Sequence, residues 1–205
     1  TGNVGGADFL RYSTAGEPHW IRRLAQVKST YHAYGPNLTN VMYSGVTTDG
    51  RIRADITTQL GRTDDLVRTY YHVDYTFLED VEYSRLAFFQ MAADRYGDNG
   101  FSRQAYGNAD GVTSDQAIND HGTTGYANNA SRGIPLNGQS PWVMLYNNLK
   151  EDEQLPEKYA DLAYVVRHFE ADIGGTIITT PHINLHRTNN GNSQIGFELG
   201  LPHVD

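Results

Sequence analysis

Apolar and polar residues alternate through much of this chain with a period of two, the period of a strand. The clearest run is YYHVDYTFLEDVEYSRLAFFQ, Tyr70 to Gln90. One alternate set reads Tyr71, Val73, Tyr75, Phe77, Glu79, Val81 and Tyr83. The other reads His72, Asp74, Thr76, Leu78, Asp80, Glu82 and Ser84. Successive strand side chains point to opposite faces. The run therefore predicts one aromatic, apolar face and one face with a histidine and three carboxylates. A turn at Leu78-Glu79-Asp80 would make it a hairpin, and its faces are then read arm by arm.

Similar segments recur, separated by turn chemistry, which is the pattern of an antiparallel all-β domain. Strands are predicted near Trp20–His32, Thr39–Thr47, Arg51–Leu60, Leu66–Phe77, Val81–Ala92, Trp142–Asn147, Ala163–Ile173, Thr176–His186 and Ser193–Leu199. Turn signals separate them at Tyr34-Gly-Pro-Asn, Thr48-Asp-Gly, Gly61-Arg-Thr-Asp-Asp, Gly97-Asp-Asn-Gly and Asn189-Asn-Gly-Asn. Thr48-Asp49-Gly50 between two alternating runs is the strongest hairpin signal. The expected fold is an antiparallel β-sandwich, of jelly-roll or super-β-sandwich type, with long loops and at most one short helix. That helix candidate starts at Pro156, where apolar residues at 159, 162, 163, 166 and 169 have helical spacing. The same residues alternate from Ala163 onward, so the reading is a short helix or loop followed by a strand.

Residues 1–17 are Gly-rich and read as a flexible N-terminal segment, with one sandwich domain over 18–205. Within it, residues 93–141 are rich in Gly, Asn, Asp, Ser and Thr and poor in apolar anchors. They read as a set of long loops, the usual place for binding on a rigid β scaffold. The opening TGNVGGADFL has neither an initiator Met nor a signal peptide, and reads as the interior of a longer precursor or a processed fragment.

Composition narrows the function. The 205 residues carry a formal net charge of −8, with no basic run, which argues against nucleic acid as the main partner. Only Lys28, Lys150 and Lys158 are lysines; the other cations are Arg, suited to planar contacts with carboxylate or sulfate. No apolar run approaches 18 residues, so no membrane-spanning helix is expected. Cysteine is absent, which removes disulfides, thiolate metal sites and cysteine nucleophiles. Gly-x-Ser-x-Gly, phosphate-loop, dinucleotide-binding and His-Glu-x-x-His motifs are also absent, against nucleotide and standard serine hydrolase chemistry.

Four constellations carry candidate chemistry. The first is His72, Asp74, Asp80 and Glu82. Carboxylates two residues apart on a strand have Cβ atoms about 6–7 Å apart, near the separation glycosidases use. The second is the run Gly50 to Leu60, with Ile52, Ala54, Ile56 and Leu60 on one face and Arg51, Arg53, Asp55, Thr57 and Gln59 on the other. Arg and Gln there would form a groove floor for anionic or hydroxylated sugars. The third pairs His168, Glu170 and Asp172 with His182, Asn184 and His186, two candidate strand faces able to supply a general base or ligate zinc. The fourth is Asp94 and Asp98 with Asp110, in oxygen-rich turns that would hold a structural calcium ion. Each has a plain alternative, a solvent face or a self-capping Asx turn.

Two stretches, Val81-Glu-Tyr-Ser-Arg-Leu-Ala-Phe-Phe-Gln-Met-Ala-Ala-Asp-Arg-Tyr and Arg132-Gly-Ile-Pro-Leu-Asn-Gly-Gln-Ser-Pro-Trp, resemble the β-sandwich regions of large secreted polysaccharide-degrading enzymes of environmental bacteria. The resemblance covers residues 38–173. It implies a carbohydrate substrate and a secreted or periplasmic setting, and it supplies no catalytic residues. The Glu-x-Asp-x-x-Glu signature of laminarinase-like sandwich hydrolases is absent, as are the strand motifs of the common alginate lyase sandwich.

The expected function is a polysaccharide-active enzyme, a glycoside hydrolase or polysaccharide lyase, binding an extended glycan in a groove on one sheet. For hydrolysis, Glu82 and Glu170 are the acid and the nucleophile or base. For elimination, Arg53 would neutralise a uronate while His72 or Tyr83 takes the C5 proton. Arg51, Arg53, Gln59, Asp74, Asp80 and His168 would bind substrate. The competing readings are a non-catalytic carbohydrate-binding module and a structural β domain of a larger secreted protein.

Overall fold

The computed structural model describes residues 7–8, 10–13, 20–21, 24–62, 67–83, 85–94, 103–117, 134–146, 162–188 and 194–201. Every regular element among them is a strand. Two compact units divide the chain: Thr14–Tyr83, and Thr1–Ser13 with Ser84–Asp205.

In chain order the strands are β1 (Ala7–Asp8), β2 (Arg11–Ser13), β3 (Trp20–Ile21), β4 (Leu24–Tyr34), β5 (Leu38–Thr47), β6 (Ile52–Arg62) and β7 (Val67–Phe77). There follow β8 (Arg85–Asp94), β9 (Arg103–Asn108), β10 (Gly111–Ala117), β11 (Ile134–Pro135), β12 (Trp142–Tyr146) and β13 (Leu162–Val165). The last four are β14 (Ala171–Ile173), β15 (Thr176–Ile178), β16 (His182–Thr188) and β17 (Gln194–Gly200). All the resolved pairings are antiparallel.

The Thr14–Tyr83 unit is a four-stranded meander in the order β4-β5-β6-β7. Its hairpin at Thr48-Asp49-Gly50 forms as the turn chemistry predicts. Gly50 takes φ of 80°, a left-handed value that glycine reaches without a Cβ clash. The Gly50 N–H bonds the Thr47 carbonyl at 2.8 Å, and the Ile52 N–H bonds the buried Thr47 hydroxyl at 3.1 Å. That hydroxyl in turn donates to Asp49. Val41, Ile52, Ala54 and Ile56 supply the buried apolar residues of one sheet face.

The second unit contains a sheet in the order β11-β16-β17-β8-β2, with β1 also on β8, and a four-stranded sheet β10-β9-β12-β13. A small hairpin, β14-β15, completes it. β1 and β2 keep one register along β8, Ala7 opposite Met91 and Arg11 opposite Ala87. Phe89 of β8 stacks on Tyr164 of β13, ring centroids 4.8 Å apart, which joins the two larger sheets. The buried Val143 and Leu145 share the sheet face of Tyr164, so that face is core.

Four sequence expectations change. The run Tyr70–Gln90 is not a hairpin: β7 closes the meander at Phe77, residues 78–83 are irregular, and β8 starts the other unit at Arg85. Neither Ala163–Ile173 nor Thr176–His186 is one strand, because 166–170 separate β13 from β14 and 179–181 separate β15 from β16. Residues 103–117, inside the stretch read as loops, form the β9-β10 hairpin. Its inward positions are Ala105 and Gly107, too small to give an apolar signal in the sequence. The Gly97 and Asn189 turn signals and Pro156–Asp161 lie outside the described residues.

Candidate functional site

Register across the meander turns the sequence alternation into rows. Directly opposed residues of an antiparallel pair share a face, with Cβ atoms about 4.5–5.5 Å apart. Ser44 lies opposite Asp55 and Asp55 opposite Asp74; Lys28 lies opposite Ser44. The next row is Thr30, Met42, Thr57 and His72, and the one after it is Ala33, Asn40, Gln59 and Tyr70. Val46, Arg53 and Thr76 form the row on the other side. One sheet face thus gathers Arg53, Gln59, His72 and Asp74, two sets of candidates drawn from separate stretches of sequence.

The centre of this face is an opposed carboxylate pair. Like charges directly opposite destabilise a sheet, and neighbours offset the cost here. Ser44 donates its hydroxyl to Asp55 Oδ1. Arg53 Nε stands 2.9 Å from Asp55 Oδ2, and its Nη2 3.3 Å from Oδ1. The Ser44 hydrogen bond, ahead of the opposing effect of burial and the pull of Arg53, holds the Asp55 carboxyl below its ordinary value. Asp74 Oδ2 lies 3.1 Å from His72 Nε2, on the same strand two residues away. His72 and Asp74 are open to solvent, with side chains 75% and 65% exposed. The arrangement can hold hydroxyl groups by hydrogen bonds and pass a proton through an imidazole that a carboxylate orients.

The remaining candidates fall elsewhere. Arg51 sits at the β5-β6 turn, 2.9 Å from Glu79, with its carbonyl accepting the Leu78 N–H. Asp80 and Glu82 are exposed on the irregular segment after β7. The expected i, i+2 strand pair of carboxylates is therefore not formed, because strand geometry ends at Phe77. Tyr83 is half-buried, and burial pushes its phenol up, away from the phenolate a base would need. His168 and Glu170 are exposed on the irregular bend between β13 and β14 in the other unit. They do not share a strand face with Asp172, which accepts the Gly175 N–H at 2.9 Å in the β14-β15 turn.

Of the calcium candidates, Asp94 is the last residue of β8 and Asp98 lies outside the described residues. Asp110 occupies the β9-β10 turn, where its N–H bonds Asn108 Oδ1 at 2.8 Å, an Asx turn. No group of three or more metal-ligating side chains occurs among the described residues. His182 is half-buried in β16 with its Nδ1 buried and unpartnered. Burial lowers its pKa, against a smaller opposing effect of the Thr180 backbone.

A second polar cluster escaped the sequence reading. Arg103 Nε donates to Asp115 Oδ1 at 3.0 Å and to Tyr146 Oη at 3.1 Å, while the Tyr146 hydroxyl donates to Asp115 Oδ2 at 2.6 Å. The three come from β9, β10 and β12, at sequence distances up to 43 residues. The Tyr146 bond is the main reason that Asp115 is held low, and the Asp115 bond the main reason that Tyr146 is pushed up. The proton stays on the phenol, so this cluster clamps three strands rather than supplying a base.

The chain is an all-β protein of antiparallel sheets, one of which presents a polar face built on a carboxylate pair. No family model, curated protein or solved structure matches it.

Proposed function

We infer that the protein acts on polysaccharide and that an extended glycan lies across the polar face of the meander. The observation that supports this reading is the register that brings Arg53, Gln59, His72 and Asp74 onto one face around the Asp55–Asp74 pair. Four strands at about 4.8 Å spacing make a floor broad enough for several sugar rings. Hydroxyl, amide, guanidinium and carboxylate groups in neighbouring rows suit a hydroxyl-rich polymer. His72 takes or gives the proton, and Asp74 holds the imidazole. Asp55, kept ionised by Ser44 and Arg53, is the carboxylate directly across the strand. A polysaccharide substrate goes with a secreted or periplasmic setting.

A second reading is binding without chemistry. It is favoured by the openness of His72 and Asp74, since catalytic groups are usually desolvated.

Digestion of a panel of neutral, uronic and sulfated polysaccharides tests both. Reducing ends without the absorbance of an unsaturated uronate mean hydrolysis, with Asp55→Asn and Asp74→Asn abolishing it. Reducing ends with that absorbance mean elimination, with His72→Gln abolishing it. Retardation in a polysaccharide gel without products leaves the binding reading. No products and no retardation would remove the carbohydrate assignment.

A further inference from the structure

The two edges of the meander differ. β4 is broken by a register shift at Gln26, whose φ is 52°, and again between Tyr31 and Ala33. β7 runs without a break against β6 for all of its 11 residues, Val67 to Phe77. Bulges are a device that keeps a sheet edge from pairing with another chain. β7 lacks that device, and among the described residues no strand pairs with its outer side.

We propose that β7 pairs antiparallel with β7 of a second copy of this chain, about a two-fold axis at Tyr71, so that Arg68 of each copy faces Asp74 of the other. In this register the polar face meets the polar face, Arg68 opposite Asp74 and Tyr70 opposite His72. The apolar face meets the apolar face, Val67 opposite Tyr75, Thr69 opposite Val73 and Tyr71 opposite Tyr71. A one-residue slip would set polar residues against apolar ones. A shift of the opposed pairs by two residues would place Arg68 against His72 or Thr76 and lose both ion pairs.

Charge supplies the preference for this partner. Asp55 and Asp74 are opposed across β6 and β7, and Arg53 and Ser44 both serve Asp55. Asp74 is paired with His72, which is charged only when protonated. Arg68, exposed on the same face, brings a permanent cation to Asp74 of the other copy. The joined meanders form one continuous sheet with a doubled polar face. Association is measured without any glycan, so it stands or falls apart from the polysaccharide reading.

The test is sedimentation velocity of the full chain over a concentration series at low and high salt. Wild type is expected to dimerise, less tightly in high salt. Arg68→Asp and Asp74→Arg each weaken the dimer on the order of tenfold or more, with unchanged far-UV circular dichroism because both side chains are exposed. An equal mixture of the two variants recovers the dimer, because each substituted position then meets an opposite charge. A wild type that stays monomeric overturns the proposal. So does an oligomer unchanged by either substitution, or a mixture no tighter than its components.

Discussion

Asp55 of β6 stands directly opposite Asp74 of β7, and the two carboxylates are served differently. Asp55 receives the Ser44 hydroxyl and the Arg53 guanidinium, whereas Asp74 meets the His72 imidazole at 3.1 Å. An opposed like-charge pair would ordinarily weaken the sheet. Its presence at the centre of the polar face makes that face the part of the meander least explained by folding alone.

Removing the Ser44 hydroxyl should let the Asp55 carboxyl rise toward its ordinary value. Carbon-detected carboxyl titration of Ser44→Ala would show the midpoint moving up. The sign for stability follows, since a folded-state pKa held low contributes stability at pH above the unfolded value of about 3.9. The wild-type advantage over Ser44→Ala should be present at neutral pH and shrink as pH falls below about 4. Equal stability of the two proteins at pH 7 and pH 3 would contradict the role given to Ser44.

His182 should make the protein acid-sensitive in a higher window. Its pKa is lowered by burial, so the unfolded chain binds the proton more readily than the folded one. Stability should fall as pH drops below about 6.5, the ordinary histidine value. Melting temperature against pH for His182→Gln should lack that step between pH 7 and the folded-state pKa, while the wild type shows it.

Gly107 should be irreplaceable by alanine. A Cβ there would lie 2.1 Å from the Gly111 carbonyl oxygen and 2.8 Å from the Trp142 ring. The Trp142 indole is also tethered, donating to the Asn108 carbonyl at 3.1 Å. Gly107→Ala should destabilise by roughly 1–3 kcal/mol, the usual cost of overpacking. Denaturant unfolding followed by tryptophan fluorescence would read it.

Ile52 is fully buried beside the β5-β6 turn. Ile52→Ala should lower unfolding free energy by about 2–5 kcal/mol. Leu60→Ala on the same strand, 42% exposed, should cost far less. Comparable losses at the two positions would mean that the sheet face around Leu60 is covered in solution.

Tyr146→Phe should raise the titration of Asp115, because the phenol is the leading cause of its lowered pKa. Carboxyl titration checks this, and Arg103→Gln should move the same resonance in the same direction.

The sequence by itself determined the strands wherever side-chain size alternated strongly. β5, β6 and β7 follow their predicted bounds closely, because Val41, Ile52, Ala54, Ile56, Val73 and Tyr75 mark one face while Ser44, Arg53, Asp55 and Asp74 mark the other. The hairpin at Thr48-Asp49-Gly50 was equally legible, since turn geometry is a local property of a few residues. Alternation failed at β9, whose inward residues are Ala105 and Gly107, and past Phe77, where it continued in the letters after the strand had ended. Only the tertiary structure decided which strands are neighbours. Period-two patterning assigns each residue to a face but carries no information about the strand beside it. The opposition of Asp55 to Asp74, the meeting of Arg103, Asp115 and Tyr146, and the assignment of His168 and Glu170 to the other unit all depend on register and sheet order. These are set by contacts between residues far apart in the chain, and no local pattern records them.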